Sequence, residues 1–130
     1  MRRPPFALLA LLFLFAACSQ PEPVDVSGQW SGQLGDTDTI AFTVDETNEV
    51  DPFDFYATYQ DEDLLYEVSS SVRGDRFTLT ATATTPELSL TLDVEATVSG
   101  DSMTGTYEFR ATNAQGGTFT TGGTFAANRL

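Results

Sequence analysis

Histidine and lysine are absent from the 130 residues, and cysteine and tryptophan occur once each. Without histidine, and with one cysteine, the chain cannot assemble a Ser-His-Asp or Cys-His nucleophile, or a zinc site built on those ligands. Carboxylates remain. A two-carboxylate glycosidase needs an acid of raised pKa beside a cleft, whereas every acid here falls, by pattern, in a turn or on an exposed strand face. A non-enzymatic protein with no catalytic residues and no cofactor is therefore expected. One cysteine also excludes an intrachain disulfide. Cations are scarce, at six arginines against 19 acids. Phosphate backbones are bound by clustered Lys and Arg, so nucleic acid is excluded as a partner.

The chain opens Met1-Arg2-Arg3, followed by an apolar run from Phe6 to Ala17. A run of about a dozen residues fits the apolar region of a secretory signal and is too short for the roughly 20 needed to span a bilayer. Its end, Phe15-Ala16-Ala17-Cys18, resembles the lipobox of bacterial lipoproteins, although Phe15 stands where a small aliphatic is usual. That resemblance implies cleavage after residue 17, acylation of Cys18 and anchoring to a membrane of the cell envelope. Ser19 carries no acidic retention signal, so the outer membrane or cell surface is expected over the inner membrane.

Residues 18–25 read as the lipidated cysteine and an extended tether, with Pro21 and Pro23 among polar residues. Removal of residues 1–17 from the 130 leaves 113, enough for one domain, 26–130, and too few for two. Cleavage also takes Arg2 and Arg3. Arg73, Arg76, Arg110 and Arg129 then face all 19 acids, a formal net charge of −15. A basic protein is the macromolecular partner such a charge favours, and solubility in the envelope is the plainer role. The acidic runs Asp45–Asp54 and Asp61–Asp63 lack the spacing and glycine of an EF-hand loop, so they read as solvated loops and no metal site is expected.

From Val26 onward apolar and polar residues alternate with period two, and Thr and Val are frequent, as in strands with one buried face. The spacing predicts strands near 26–34, 38–46, 53–60, 64–73, 75–84, 88–98, 101–112 and 117–127. The inward set by alternation is Val26, Trp30, Leu34, Ile40, Phe42, Val44, Phe53, Phe55, Tyr59, Leu64, Tyr66, Val68, Phe77, Leu79, Leu88, Leu90, Leu92, Val94, Met103, Tyr107, Phe109, Phe119 and Phe125. It contains no charge. Gly35-Asp36, Gly74-Asp75 and Gly100-Asp101 have type II′ hairpin composition, and Asp51-Pro52, Thr85-Pro86 and Gly116-Gly117 mark the other joints. Successive hairpins make a meander, and closing it hides the apolar faces and removes sheet edges. An all-β fold follows: a single antiparallel up-and-down barrel of about eight strands, with a two-sheet sandwich as the alternative. Gly122-Gly123, inside the last strand, is expected to form a bend or bulge that helps closure.

Gly28-x-Trp30 opening the first strand, followed by alternating strands to a Gly-rich last strand ending near Arg129, resembles the calycin group of lipocalins and avidins. The lipocalin resemblance implies that Trp30 packs under Arg129 and closes one end of the barrel. Gln33-Leu34-Gly35 and Thr104-Gly105-Thr106-Tyr107-Glu108 look avidin-like, but that family's biotin-enclosing tryptophans are missing. Small inward residues such as Ala57, Ser70, Ala81, Ala83, Ala96 and Ala111 leave room for a small apolar ligand, lined by Trp30, Phe55, Tyr59, Tyr66 and Tyr107. Three roles stay open on the sequence: an apolar-ligand carrier, an acidic module or inhibitor that binds a basic protein, and a purely structural envelope lipoprotein.

Overall fold

The computed structural model of the protein describes residues 22–57 and 66–130. The leader, Cys18, Tyr59, Asp61–Asp63 and Leu64 lie outside the described residues. Eight strands follow in order: β1 (Gly28–Leu34), β2 (Asp38–Val44), β3 (Val50–Ala57), β4 (Glu67–Arg73), β5 (Arg76–Thr84), β6 (Leu88–Ser99), β7 (Ser102–Asn113) and β8 (Thr118–Arg129). They form one antiparallel sheet in the order β3-β2-β1-β8-β7-β6-β5-β4. This is the expected up-and-down barrel, nearly closed. The first and last strands pair with each other, from Trp30 opposite Arg129 to Leu34 opposite Phe125. The opening therefore lies mid-chain, between β3 and β4.

Local chemistry explains the joints. Gly74-Asp75 and Gly100-Asp101 are two-residue loops between paired Arg73 and Arg76, and between paired Ser99 and Ser102, with φ of 59° and 60° at the glycines. A glycine of positive φ at the first loop position is what a type II′ turn requires. The β1–β2 joint, by contrast, is a three-residue loop, 35–37, between paired Leu34 and Asp38.

The β2–β3 turn falls at 45–49, four residues before the expected Asp51-Pro52 joint, because Asp45 and Asn48 build it. The Asp45 carboxylate accepts from the N–H groups of Thr47 and Glu49, at 2.9 and 3.1 Å. Asn48 takes the left-handed conformation at φ 64°, which asparagine tolerates better than most residues. Asp51-Pro52 instead lies within β3, where the register slips: Phe42 pairs with Phe55 but Val44 pairs with Val50. Four residues of β3 thus stand opposite one of β2, and alternation fails across them. Phe53, expected inside, is 89% exposed, while Val50, assigned to a loop on the sequence, is buried.

Phe119 is the second departure, at 61% exposed. It shares parity with buried Phe125 and Ala127, but pairs with half-buried Ala111 near the tip of the long β7–β8 hairpin. That hairpin outruns its neighbour β1, which ends at Leu34 opposite Phe125 and leaves Phe119 beyond it. Gly122-Gly123 forms no bulge, since β7 and β8 pair without a slip from Ser102–Asn128 to Thr112–Thr118. The glycines serve close approach: a Cβ on Gly122 would stand 2.7 Å from the Tyr107 carbonyl oxygen.

The remaining inward residues among those described are buried or half-buried, and no polar or charged residue joins the buried set. Phe42 of β2 stacks on Phe77 of β5 with ring centroids 5.7 Å apart and planes 6° from parallel. These strands are not neighbours in the sheet, so the stack crosses the lumen and ties the two sides of the opening together.

Candidate functional site

The barrel has two unlike ends. One carries the segment that enters β1, the C-terminal residues and the turns at 45–49, 74–75 and 100–101, and it is sealed. Trp30 is 1% exposed and its indole N–H donates to the Val26 carbonyl at 2.8 Å. The Arg129 guanidinium lies over the indole, 4.8 Å from the ring centroid. It donates to the carbonyls of Ser27, Asp25 and Gly100, and its Nε pairs with the Asp101 carboxylate at 2.9 Å. Arginine suits this place because its rigid fork holds several acceptors while its flat face covers an aromatic ring.

The segment entering β1 is pinned beneath that end. Asn48 accepts from Val26 N–H and donates to the Val24 carbonyl, at 3.0 and 2.9 Å, and Val24 N–H donates to Gly74 O at 2.8 Å. Val24 and Asp25, expected in the free tether, are thus already fixed to the barrel. Two hydrogen bonds from Ser27 hold the Asp25 carboxyl below its ordinary pKa, with Arg129 adding a smaller pull. Sequence reasoning passed over Asn48. A lone asparagine in an acidic stretch was its one signal.

At the opposite end, the joints at 85–87 and 114–117 lead to apolar positions that are only partly covered. One ladder row runs Ala83, Leu90, Ala111, Phe119 across β5 to β8, and the row beneath it runs Ala81, Leu92, Phe109, Thr121. The four side chains of the upper row pass from 4% and 1% exposed at Ala83 and Leu90 to half-buried Ala111 and exposed Phe119. Leu88 is half-buried beside them. Across the β3–β4 opening, Phe55 meets Tyr66 edge to face at 5.5 Å and 72°. Partial burial raises the Tyr66 phenol pKa.

These contacts join both ends in one spiral. From Arg129 the ladder passes to Trp30, Phe42 and Phe55, and the Phe55–Tyr66 contact carries it over the opening toward β5 and back to β8 at Phe119. The row returns ten residues before it began, and such a stagger is what tilts strands in a closed barrel. Of the ligand-lining residues expected from the sequence, Phe55 and Tyr66 touch, whereas Trp30 belongs to the sealed end. Tyr107 is buried apart from them, opposite Val94 and Gly123.

Shallow depressions open on the outer face, over Ser69, Ser71, Thr78 and Thr80 and over Glu95, Thr97, Thr104 and Thr106. Serine and threonine side chains rim both, and both lie open to solvent. No three potential metal ligands converge among the described residues. The geometry defines a class, an eight-stranded antiparallel barrel sealed at one end. Compared with protein-family models, curated proteins and solved structures, the chain matches none.

Proposed function

We propose that the chain is an exported, non-enzymatic envelope lipoprotein, held by acylated Cys18, whose calycin-like barrel takes a small apolar molecule at the end remote from the tether. The observation that carries this reading is the asymmetry of the two ends. Arg129, Trp30 and the Val24–Ser27 segment close the end where the tether enters, while Phe55, Tyr66, Leu88 and Ala111 stay half-buried and Phe119 is exposed. A lipid on Cys18 then leaves the apolar end directed away from the bilayer. Several acyl chains exceed the two signals that stable anchoring needs.

Two measurements test it. Cys18→Ser should abolish labelling by radioactive palmitate and release the protein from membranes; an unmodified thiol on soluble wild-type protein would end the lipoprotein reading. The barrel should bind an apolar fluorescent probe saturably, with displacement by fatty acid. Ala111→Phe, at a half-buried position of the unsealed end, should weaken binding at least tenfold while Trp30 emission stays native. Absence of saturable binding by folded protein would leave the basic-partner and purely structural readings. The basic-partner reading has its own support, because exposed Phe53 sits in a bulge that also holds Asp51 and Asp54, with Glu46 and Glu49 close in sequence.

A further inference from the structure

The two strands that border the opening are treated differently by the sequence. β3 is blunted as edge strands commonly are, by a bulge, by Pro52, which has no N–H to offer, and by the charges of Asp51 and Asp54. β4 has neither a bulge nor a proline, and its two charges, Glu67 and Arg73, stand only at its ends. It pairs with β5 at all seven positions without a slip, and no ladder joins it to β3 among the described residues. Its inward residues Val68, Ser70 and Val72 are only half-buried, whereas their β5 neighbours Phe77, Leu79 and Ala81 are at most 1% exposed.

The β4 sequence is Glu67-Val68-Ser69-Ser70-Ser71-Val72-Arg73. Read backwards it repeats its own pattern, with the charge at one end reversed. Two such strands laid antiparallel about Ser70 place Glu67 opposite Arg73 at both ends, Val68 opposite Val72, Ser69 opposite Ser71 and Ser70 opposite itself. Opposite charges and like apolar residues directly across an antiparallel pair stabilise it. The charges are available. Arg76, Arg110 and Arg129 pair with Glu95, Glu108 and Asp101, but Arg73 has no carboxylate within salt-bridge reach among the described residues, and neither does Glu67 have a cation. Arg73 instead lies across from Arg76, a like-charge pair that an incoming carboxylate would relieve.

We propose that the occupant of this edge is a second copy of the chain, joined β4 to β4 about a two-fold axis at Ser70. An isologous edge pairing of this kind closes on itself as a dimer and leaves no further edge of that type exposed. It requires β3 to stand off β4 by about one strand spacing, 4.8 Å. Three side-chain contacts across the opening yield when it does: the hydrogen bond from Val50 N–H to Ser70 Oγ, at 2.9 Å, the Phe55–Tyr66 contact, and the Phe42–Phe77 stack behind them, because β2 moves with the β3 it is paired to. A seven-residue ladder and two ion pairs replace them.

Sedimentation of the full-length chain in detergent tests the pairing. Wild type should be a dimer. Glu67→Arg and Arg73→Glu, each placing like charges at both ends, should weaken the dimer roughly tenfold or more, and the double reversal should restore it to within about threefold. Both side chains are exposed, so native Trp30 emission verifies folding of each variant. Independently, Ser70→Cys should form a disulfide dimer on mild oxidation beyond what wild type yields through Cys18, because residues on the axis face each other within the 4.4–6.8 Å Cα range of disulfides. Ser69→Cys, off the axis, should form much less. A monomeric wild type, a dimer indifferent to single reversal, failure of the double reversal to restore it, or equal cross-linking at 69 and 70 would each overturn the proposal.

Discussion

The Arg129 guanidinium covers the Trp30 indole at 4.8 Å and at the same time holds the carbonyls of Ser27, Asp25 and Gly100. One side chain thereby fastens the last strand, the entry segment, the β6–β7 turn and the largest core residue. Lysine cannot reproduce this, since its ammonium is a point charge without the planar fork. Arg129→Lys should cost about 2–4 kcal/mol, from lost carbonyl bonds and a weaker cation–π contact. Trp30→Ala should cost about 3–5 kcal/mol. Because the residues touch, the double variant should fall short of the sum. Urea unfolding of the three variants checks this, and additive losses would mean that the contact carries no energy.

The strands themselves were legible in the sequence because a half-buried strand alternates with period two, and β4 to β8 do so almost without interruption. Alternation could not show where counting fails. Phe53 fell on the wrong face because the slip between Phe42 and Val44 is set by pairing with a distant strand, and Phe119 because parity says nothing of how far a hairpin outruns its barrel. Trp30 and Arg129 were joined by resemblance alone. Nothing local in either places them across from each other, 99 positions apart. The opening between β3 and β4 was equally hidden, since it follows from how the first and last strands meet.

Glycine matters most where strands crowd. A Cβ on Gly105 would stand 1.9 Å from the Glu95 carbonyl oxygen and 2.7 Å from Ala96 Cα, so β6 and β7 would have to separate. Gly105→Ala should cost about 3 kcal/mol, the upper part of the overpacking range. Gly116 has φ +86° and open space about it, so Gly116→Ala carries backbone strain alone, about 1 kcal/mol. Urea midpoints with unchanged slopes would report this order. Equal midpoints would show that the two strands can yield.

Asp45 supplies a pH-dependent contribution of known sign. Hydrogen bonds from the Thr47 hydroxyl and from the Glu49 and Thr47 N–H groups hold its carboxyl below the ordinary value near 3.8. A depressed folded-state pKa means that the unfolded chain binds the proton first. The stabilisation is therefore full above the ordinary carboxylate range and fades as pH falls through the lower, folded value. Asp45→Ala should lower the melting temperature at pH 7, and the gap to wild type should narrow steadily below about pH 4. A gap independent of pH would assign the loss to geometry rather than to the charged carboxylate.

Salt sets two opposed terms against each other. Repulsion among 19 acids with six arginines in the whole chain, four of them in the barrel, destabilises the compact state, and screening relieves it. Screening also weakens the pairs Arg76–Glu95 at 3.9 Å, Arg110–Glu108 at 2.8 Å and Arg129–Asp101 at 2.9 Å. The first two join side chains more than half exposed, where an ion pair contributes about 0–1 kcal/mol. These three pairs together are outweighed by an excess of acids whose fields overlap at low ionic strength, when the Debye length of about 30 Å exceeds the spacing of neighbouring strands severalfold. Raising sodium chloride from about 0.01 M to about 0.15 M shortens that length to about 8 Å, before salting-out of apolar surface dominates. The melting temperature at pH 7 should rise by several degrees over this interval, and rise less at pH 4, where fewer acids are charged. A fall on adding salt would mean that the three pairs, Arg129–Asp101 foremost, outweigh the repulsion.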